Sequence, residues 1–234
     1  MSGSSISEPN DRYNTSEHGT RQALIRRLQC RNLLFVPNDR FLWSFGMSAT
    51  PTSKDEIVER LFTVFRDQGF DGASIADLSR ATGLGKSSLY HHFPDGKEQM
   101  AEAVLNRAKI LIDRELLDAA RASGSLKARI RKIVAVLDHM YAGGRTSCVL
   151  GQLATCAIGP QARGSLQGAF SDWIEAIEKL AADSGLSASR ARYFAEDWVA
   201  RIQGALILQA ANGNAGPYKR ALQTLQDLAK DDTA

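Results

Sequence analysis

The 234-residue chain carries 29 Lys and Arg against 26 Asp and Glu, a net charge of only +3. That balance excludes a polycation that holds nucleic acid by bulk attraction, so any affinity for DNA rests on a few donors placed locally. A 44% hydrophobic content is ample for a buried core, yet no apolar run approaches the roughly 20 residues that span a bilayer.

Residues 1–50 read as a leader unlike the rest of the chain. Met1 to Thr20 is rich in Ser, Asn, Gly and charge, a composition of disorder. Arg21 to Leu34 suits a short basic helix, and Phe41 to Phe45 is an apolar cluster with no periodic partner nearby. Met47-Ser-Ala-Thr-Pro then reads like a fresh beginning. The leader is expected to be disordered, and to be either a working arm or the product of a mis-called start.

From Lys54 to Gln68, Ile57, Leu61 and Phe65 recur at four-residue intervals beside Val58 and Phe62. This predicts an amphipathic helix ended by Gly69. Ser74 is the N-cap of a second, short helix with Ile75, Leu78 and Ala81 on one face. Thr82-Gly83-Leu84-Gly85 breaks the period, Gly83 suiting the left-handed conformation that ends a helix. Lys86 to His92 then buries Leu89 and leaves Lys86, Ser87, Ser88, Tyr90 and His91 on its other faces. Two short helices about a tight turn make a helix-turn-helix, whose second helix can enter the major groove of DNA. Pro94-Asp95-Gly96 turns the chain into a long helical run from Lys97 through Ala122. The expected core of this part is Phe62, Phe65, Leu78, Leu89 and Phe93.

The pattern stays helical to the end, with nothing of period two. Leu126 to Met140, Gly151 to Ile158, Ser165 to Ala182 and Ser187 to Ala211 are predicted helices, and Tyr218, Leu222, Leu225 and Leu228 mark a last one. Gly159-Pro160 reads as a stop. Cys30, Cys148 and Cys156 are an odd set without paired spacing, which suits reduced thiols in a cytoplasm. Cys148 and Cys156, in small apolar surroundings, read as packing cysteines rather than redox sensors.

The segment from about Lys54 to Leu111 resembles the TetR family of transcriptional repressors. The specific part is Leu84-Gly-Lys-Ser-Ser-Leu-Tyr-His-His-Phe-Pro followed by Lys97-Glu98. The turn Pro94-Asp95-Gly96-Lys97 and the later Cys148-Val-Leu-Gly151 look similar to the LmrA/YxaF branch, which answers to drugs and flavonoids. The resemblance implies an all-α protein in which a three-helix DNA-binding domain, 51–112, is joined by a long helix to an effector-binding and dimerisation domain, 113–234. The leader has no counterpart in the family pattern.

The DNA-facing residues are then Ser74, Lys86, Ser87, Ser88, Tyr90, His91 and Lys97. Ser74 is either a phosphate grip at the N-terminus of the crossing helix or a plain cap, or both. Lys86 suits guanine or phosphate, Ser88 a base edge or phosphate, and Tyr90 a thymine methyl with its ring. His91 and Lys97 are phosphate donors. His92 is expected to pack toward the turn. Adjacent histidines point about 100° apart on a helix, so no metal is expected there.

A palindromic operator read by a homodimer is expected, because one recognition helix covers few base pairs. Ile202, Ala205, Leu206 and Gln209 with Leu222, Leu225 and Ala229 are the interface residues expected of a four-helix bundle, or else fill the core of one chain. Met140, Tyr141, Phe170, Trp173, Phe194 and Trp198 are the bulky groups available to line an effector pocket. His139, Gln152 and Gln203 are the polar ones that could orient a planar ligand. No cofactor is expected. The competing functions are an architectural DNA binder without effector and an all-helical enzyme, the latter without any nucleophile–base, phosphate-loop or metal spacing in its favour.

Overall fold

The computed structural model describes residues 53–230. The expected leader, Cys30 within it, lies outside the described residues. Helix α1, Lys54–Gly72, starts from a reciprocal capping box in which Ser53 and Glu56 each bond the other's backbone N–H. Gly69, where the periodicity predicts its end, instead kinks it at φ +69°, a conformation open to glycine. The turn beyond the kink carries Phe70 into the core, its ring 6.1 Å from that of Phe65.

Helices α2, Ile75–Thr82, and α3, Lys86–His92, are the predicted pair. Gly83 joins them at φ +71° and donates its N–H to Ser79 O, closing α2. The buried Thr82 hydroxyl is satisfied by Leu78 O at 2.8 Å. Leu61, Phe65, Leu78, Leu89 and Phe93 are fully buried between α1, α2 and α3, each worth about 1.5–3 kcal/mol of apolar burial. Phe62 packs on this core only in part.

Helix α4, Lys97–Ile112, runs without a break into a π-helical stretch, Asp113–Leu117, and a last turn, α5, Asp118–Arg121. The predicted single helix to Ala122 therefore carries a bulge. Leu116 and Leu117 in this widened turn are both buried in the core.

The rest comprises α6, Leu126–Met140, α7, Val149–Ala154, α8, Pro160–Asp183, α9, Ala188–Asn212, and α10, Gly216–Asp227. Gly159-Pro160 is a start rather than a stop: Pro160 occupies the first turn of α8, where a missing N–H costs nothing. Helix α8 is the central post, packed on α4 at one side and α9 at the other, while α7 lies along α1. Among the described residues the fold is all-α.

Most of the residues of α9 and α10 expected at an interface, or else in the core of one chain, take the second place. Ile202, Ala205, Leu206, Leu222 and Leu225 are buried within one chain, and Trp198 Nε1 donates to Ala221 O at 2.7 Å across the same seam. An apolar stripe at helical spacing records that a helix face is covered, not which chain covers it. Tyr193, Ile207 and Leu208 are what α9 leaves exposed, the first two at 68%.

Candidate nucleic-acid interface and ligand cluster

Helix α3 buries one residue, Leu89, and leaves Lys86, Ser87, Ser88, Tyr90 and His91 at the surface. Donors of three kinds are therefore carried on exposed residues of a two-turn helix. Lys86 Nζ stands 5.9 Å from the centre of the Tyr90 ring, a cation–π contact that holds both on one side. Tyr90 is aimed from below by Gly96. That residue, at φ +69°, lets the ring lie on bare backbone, and a Cβ there would stand 3.1 Å from Tyr90 Cε1. His92 is half-buried, its ring 5.7 Å from that of His91 and 6.5 Å from that of Phe93.

Ser74 caps α2: its Oγ accepts from Asp77 N at 3.1 Å and donates to Asp77 Oδ2 at 2.5 Å. The Ser74 hydrogen bond, then the Arg80 guanidinium, holds the Asp77 carboxyl below its usual range. A phosphate at this helix end would share it with a carboxylate. Lys97 is engaged inward. Its ammonium donates to Phe70 O at 2.7 Å and Ala73 O at 3.1 Å and stands 4.4 Å from the centre of the Phe70 ring. Two of its three donors thus tie the start of α4 to the last turn of α1 and the residue that follows it.

In the C-terminal half, three of the expected ligand residues come together. The Tyr141 and Trp173 rings stack at 6.3 Å, and Phe170 stacks on Trp173 at 6.4 Å. Tyr218, read from sequence only as a mark of the last helix, meets the edge of Tyr141 at 6.2 Å and donates to Leu137 O at 2.8 Å. Trp173 Nε1 is buried with no acceptor among the described residues. Tyr141 OH and Gln203 Nε2 both point at Cys148 Sγ, at 3.3 and 3.4 Å. Burial, then the Cys148 sulfur, raises the Tyr141 phenol well above its ordinary value. Met140, Phe194 and Gln152 are half-buried, and His139 is exposed. Trp198 is spent on its bond to α10. Nothing local in the sequence pairs Tyr218 with Tyr141, since the two meet only after α6 and α10 pack.

Helix α7 begins at Cys148 in this cluster and ends beside α1. A Cβ on Gly69, the α1 kink, would lie 3.9 Å from Cys156 Sγ, and Gly159 N donates to Glu98 Oε2 at 2.7 Å, tying the start of α8 to the start of α4. The described residues hold no group of three His, Cys, Asp or Glu that could bind a metal ion. No described helix is long and apolar enough to cross a membrane.

Two family models match the chain. The model of bacterial regulatory proteins of the tetR family matches residues 57–104, and that of the LmrA/YxaF-like transcriptional regulator C-terminal domain matches 122–224. The chain is similar to the HTH-type transcriptional regulator LmrA of Bacillus subtilis, 27% identical over 187 residues that cover 76% of this chain and 97% of that one. Over 60 residues, 26% of this chain and 32% of the relative, it is 33% identical to the negative regulator of the biofilm operon, IcaR, of Staphylococcus epidermidis. Its fold is similar to a TetR transcriptional regulator from Legionella pneumophila, with a TM-score of 0.68 and 20% identity over 79% of this chain and all of that one. It is also similar to Bacillus subtilis FadR in complex with stearoyl-CoA, with a TM-score of 0.57 and 11% identity over 76% of this chain and 99% of that one. The two matched models together cover well over half of the chain, and on them it belongs to the TetR family of bacterial transcriptional regulators.

Proposed function

We propose that the chain is a cytoplasmic homodimeric repressor that reads a palindromic operator with α3 and releases it when a small aromatic molecule binds in the C-terminal half. Residues 51–112 form the DNA-binding domain in this reading and 113–234 the effector and dimerisation domain. The observation that carries it is α3 itself, where Lys86, Ser87, Ser88, Tyr90 and His91 are all exposed around a single buried leucine. An element that buries so little and displays so many donors is placed for a partner. Ser87 and the uncapped Gly85 keep its approach to base edges unobstructed.

The dimer is supported by the exposed Tyr193, Ile207 and Leu208 on α9, apolar surface that a second copy would cover. The effector reading rests on the Phe170–Trp173–Tyr141 stack with the donor of Trp173 left over, which suits a planar molecule bearing an acceptor. That one structural neighbour was solved in complex with stearoyl-CoA supports a fold that can take up a ligand. Helix α7 runs between Cys148, its N-cap in the cluster, and Cys156, just past its end beside α1, and so is the element whose shift would change the spacing of two α3 helices across a dimer. We assign no catalytic residue and no cofactor.

The test is a site selected from random duplexes and assayed by electrophoretic shift at physiological salt. A repressor prefers the selected site over random DNA by about 10³ or more. Little preference would favour the architectural binder and sink the operator reading.

A further inference from the structure

Three consecutive residues where α4 begins hold three different elements. Gly96 bears the Tyr90 ring of α3, whose Cε1 lies 3.1 Å from where a Cβ would stand. Lys97 donates to Phe70 O and Ala73 O, at 2.7 and 3.1 Å, and so fixes the end of α1 and the residue after it. Glu98 reaches the other way, its Oε2 accepting from Gly159 N at 2.7 Å. Gly159 is the N-cap of α8 and has no side chain to serve that helix end. In a capping box the third helical residue would supply a carboxylate to the N-cap N–H, which Ala162 cannot do. Glu98 takes that part from another helix, and its charge lies at the positive end of a 24-residue helix. The approach is close: a Cβ on Gly159 would stand 3.0 Å from Oε2.

The same turn of α8 moors a second element. Arg163 donates to Ala154 O at 3.1 Å and to Cys156 O at 2.9 Å, holding the end of α7. The far end of α4 is anchored separately, by Lys109 to Asp172 on α8 at 2.5 Å. The start of α8 thus carries both the end of α7, which comes from the aromatic cluster, and the end of α4 that bears α3. Apolar packing between helices is non-directional. A hydrogen bond to one N–H at a helix tip fixes position and angle together.

We propose that Glu98 is a positioning residue: by capping α8 it sets the angle at which α2 and α3 stand to the C-terminal half, and with it the separation of two α3 helices in a dimer. This role rests on the palindrome-reading dimer proposed above and adds to it the residue that fixes the spacing. Glu98 is exposed, so its truncation opens no cavity, and the anchor at Lys109 keeps α4 on α8.

The test is a spacing profile. The half-sites of a selected operator are kept at their own separation, or set with one base pair added or removed between them. The full chain, Glu98→Ala and Glu98→Gln are titrated on each duplex, and each protein is melted thermally. The parent is expected to lose about tenfold or more in affinity on either altered spacer, because one base pair both moves and turns the second half-site. Glu98→Ala is expected to shrink that penalty about fivefold, the equilibrium worth of one N-cap contact. Glu98→Gln, whose amide oxygen still accepts from Gly159 N, is expected to keep most of it. A lower melting temperature for Glu98→Ala with the parent's spacing profile would make the contact structural only and overturn the proposal. So would a profile as relaxed in Glu98→Gln as in Glu98→Ala. A parent indifferent to spacing would instead remove the palindrome reading, and this role with it.

Discussion

Tyr90 rests on Gly96. The ring lies where a Cβ on Gly96 would stand 3.1 Å from Cε1, and the glycine itself is at φ +69°, ψ −138°. The turn after α3 therefore aims one of the side chains proposed to face DNA. Gly96→Ala should cost about 1–3 kcal/mol from backbone strain alone, and push the Tyr90 ring aside. Chemical denaturation reads the first effect and operator affinity the second. Equal stability of the two proteins would show that the turn carries no strain.

Lys97 separates two roles cleanly. If its ammonium is a strut between α4 and the Phe70 and Ala73 carbonyls, Lys97→Met should destabilise by about 1–3 kcal/mol, the usual range for buried acceptors left unpaired. The salt dependence of DNA binding would then stay as it is. If it holds a phosphate instead, the slope of log affinity against log salt should fall by about one unit with little change in stability.

How much of this is legible in the sequence depends on how local each signal is. Ser74, Gly83 and the spacing of Leu78 and Leu89 act within a few residues, and α2 and α3 form where these predict. The partners of Lys97 are more than twenty residues away, and its position in the first turn of a helix suggests only a phosphate. The bulge at Asp113–Leu117 leaves no mark in an otherwise regular apolar period. On α9 the periodicity identifies the covered stripe, Ile202 to Leu206, but the exposed apolar groups are the ones that break the pattern, at Ile207 and Leu208. Of the expected ligand residues, Tyr141, Phe170 and Trp173 converge, while Trp198 is a core pin whose partner, Ala221 O, lies on another helix.

The exposed α9 face gives the next expectation. Ile207→Glu puts like charges near a two-fold axis if two copies meet there, and analytical ultracentrifugation at micromolar concentration should find the variant dissociated and the parent dimeric. A parent that sediments as a monomer would remove the dimer from the account.

Asp183 supplies a pH dependence. Burial works to raise its pKa, but the hydrogen bonds from Lys179 and Arg129 outweigh it and hold the carboxyl below its ordinary value. A depressed folded-state pKa contributes stability above the unfolded-state value, lost as pH falls through the folded one. Asp183→Asn should therefore lower the melting temperature at neutral pH, by a margin that shrinks as pH falls through the folded-state pKa. A constant difference at all pH values would show that the carboxylate charge is not involved.

The claim on which the rest depends is that α3 enters the major groove, and a cycle between one residue and one base tests it most directly. Tyr90→Ala is combined with thymine-to-uracil changes, one methyl at a time, across a selected operator. The account predicts a loss of about 1–3 kcal/mol for Tyr90→Ala on the intact site, with coupling confined to symmetry-related thymines about one helical turn apart. Strict additivity at every thymine, with full affinity kept by the variant, would contradict it.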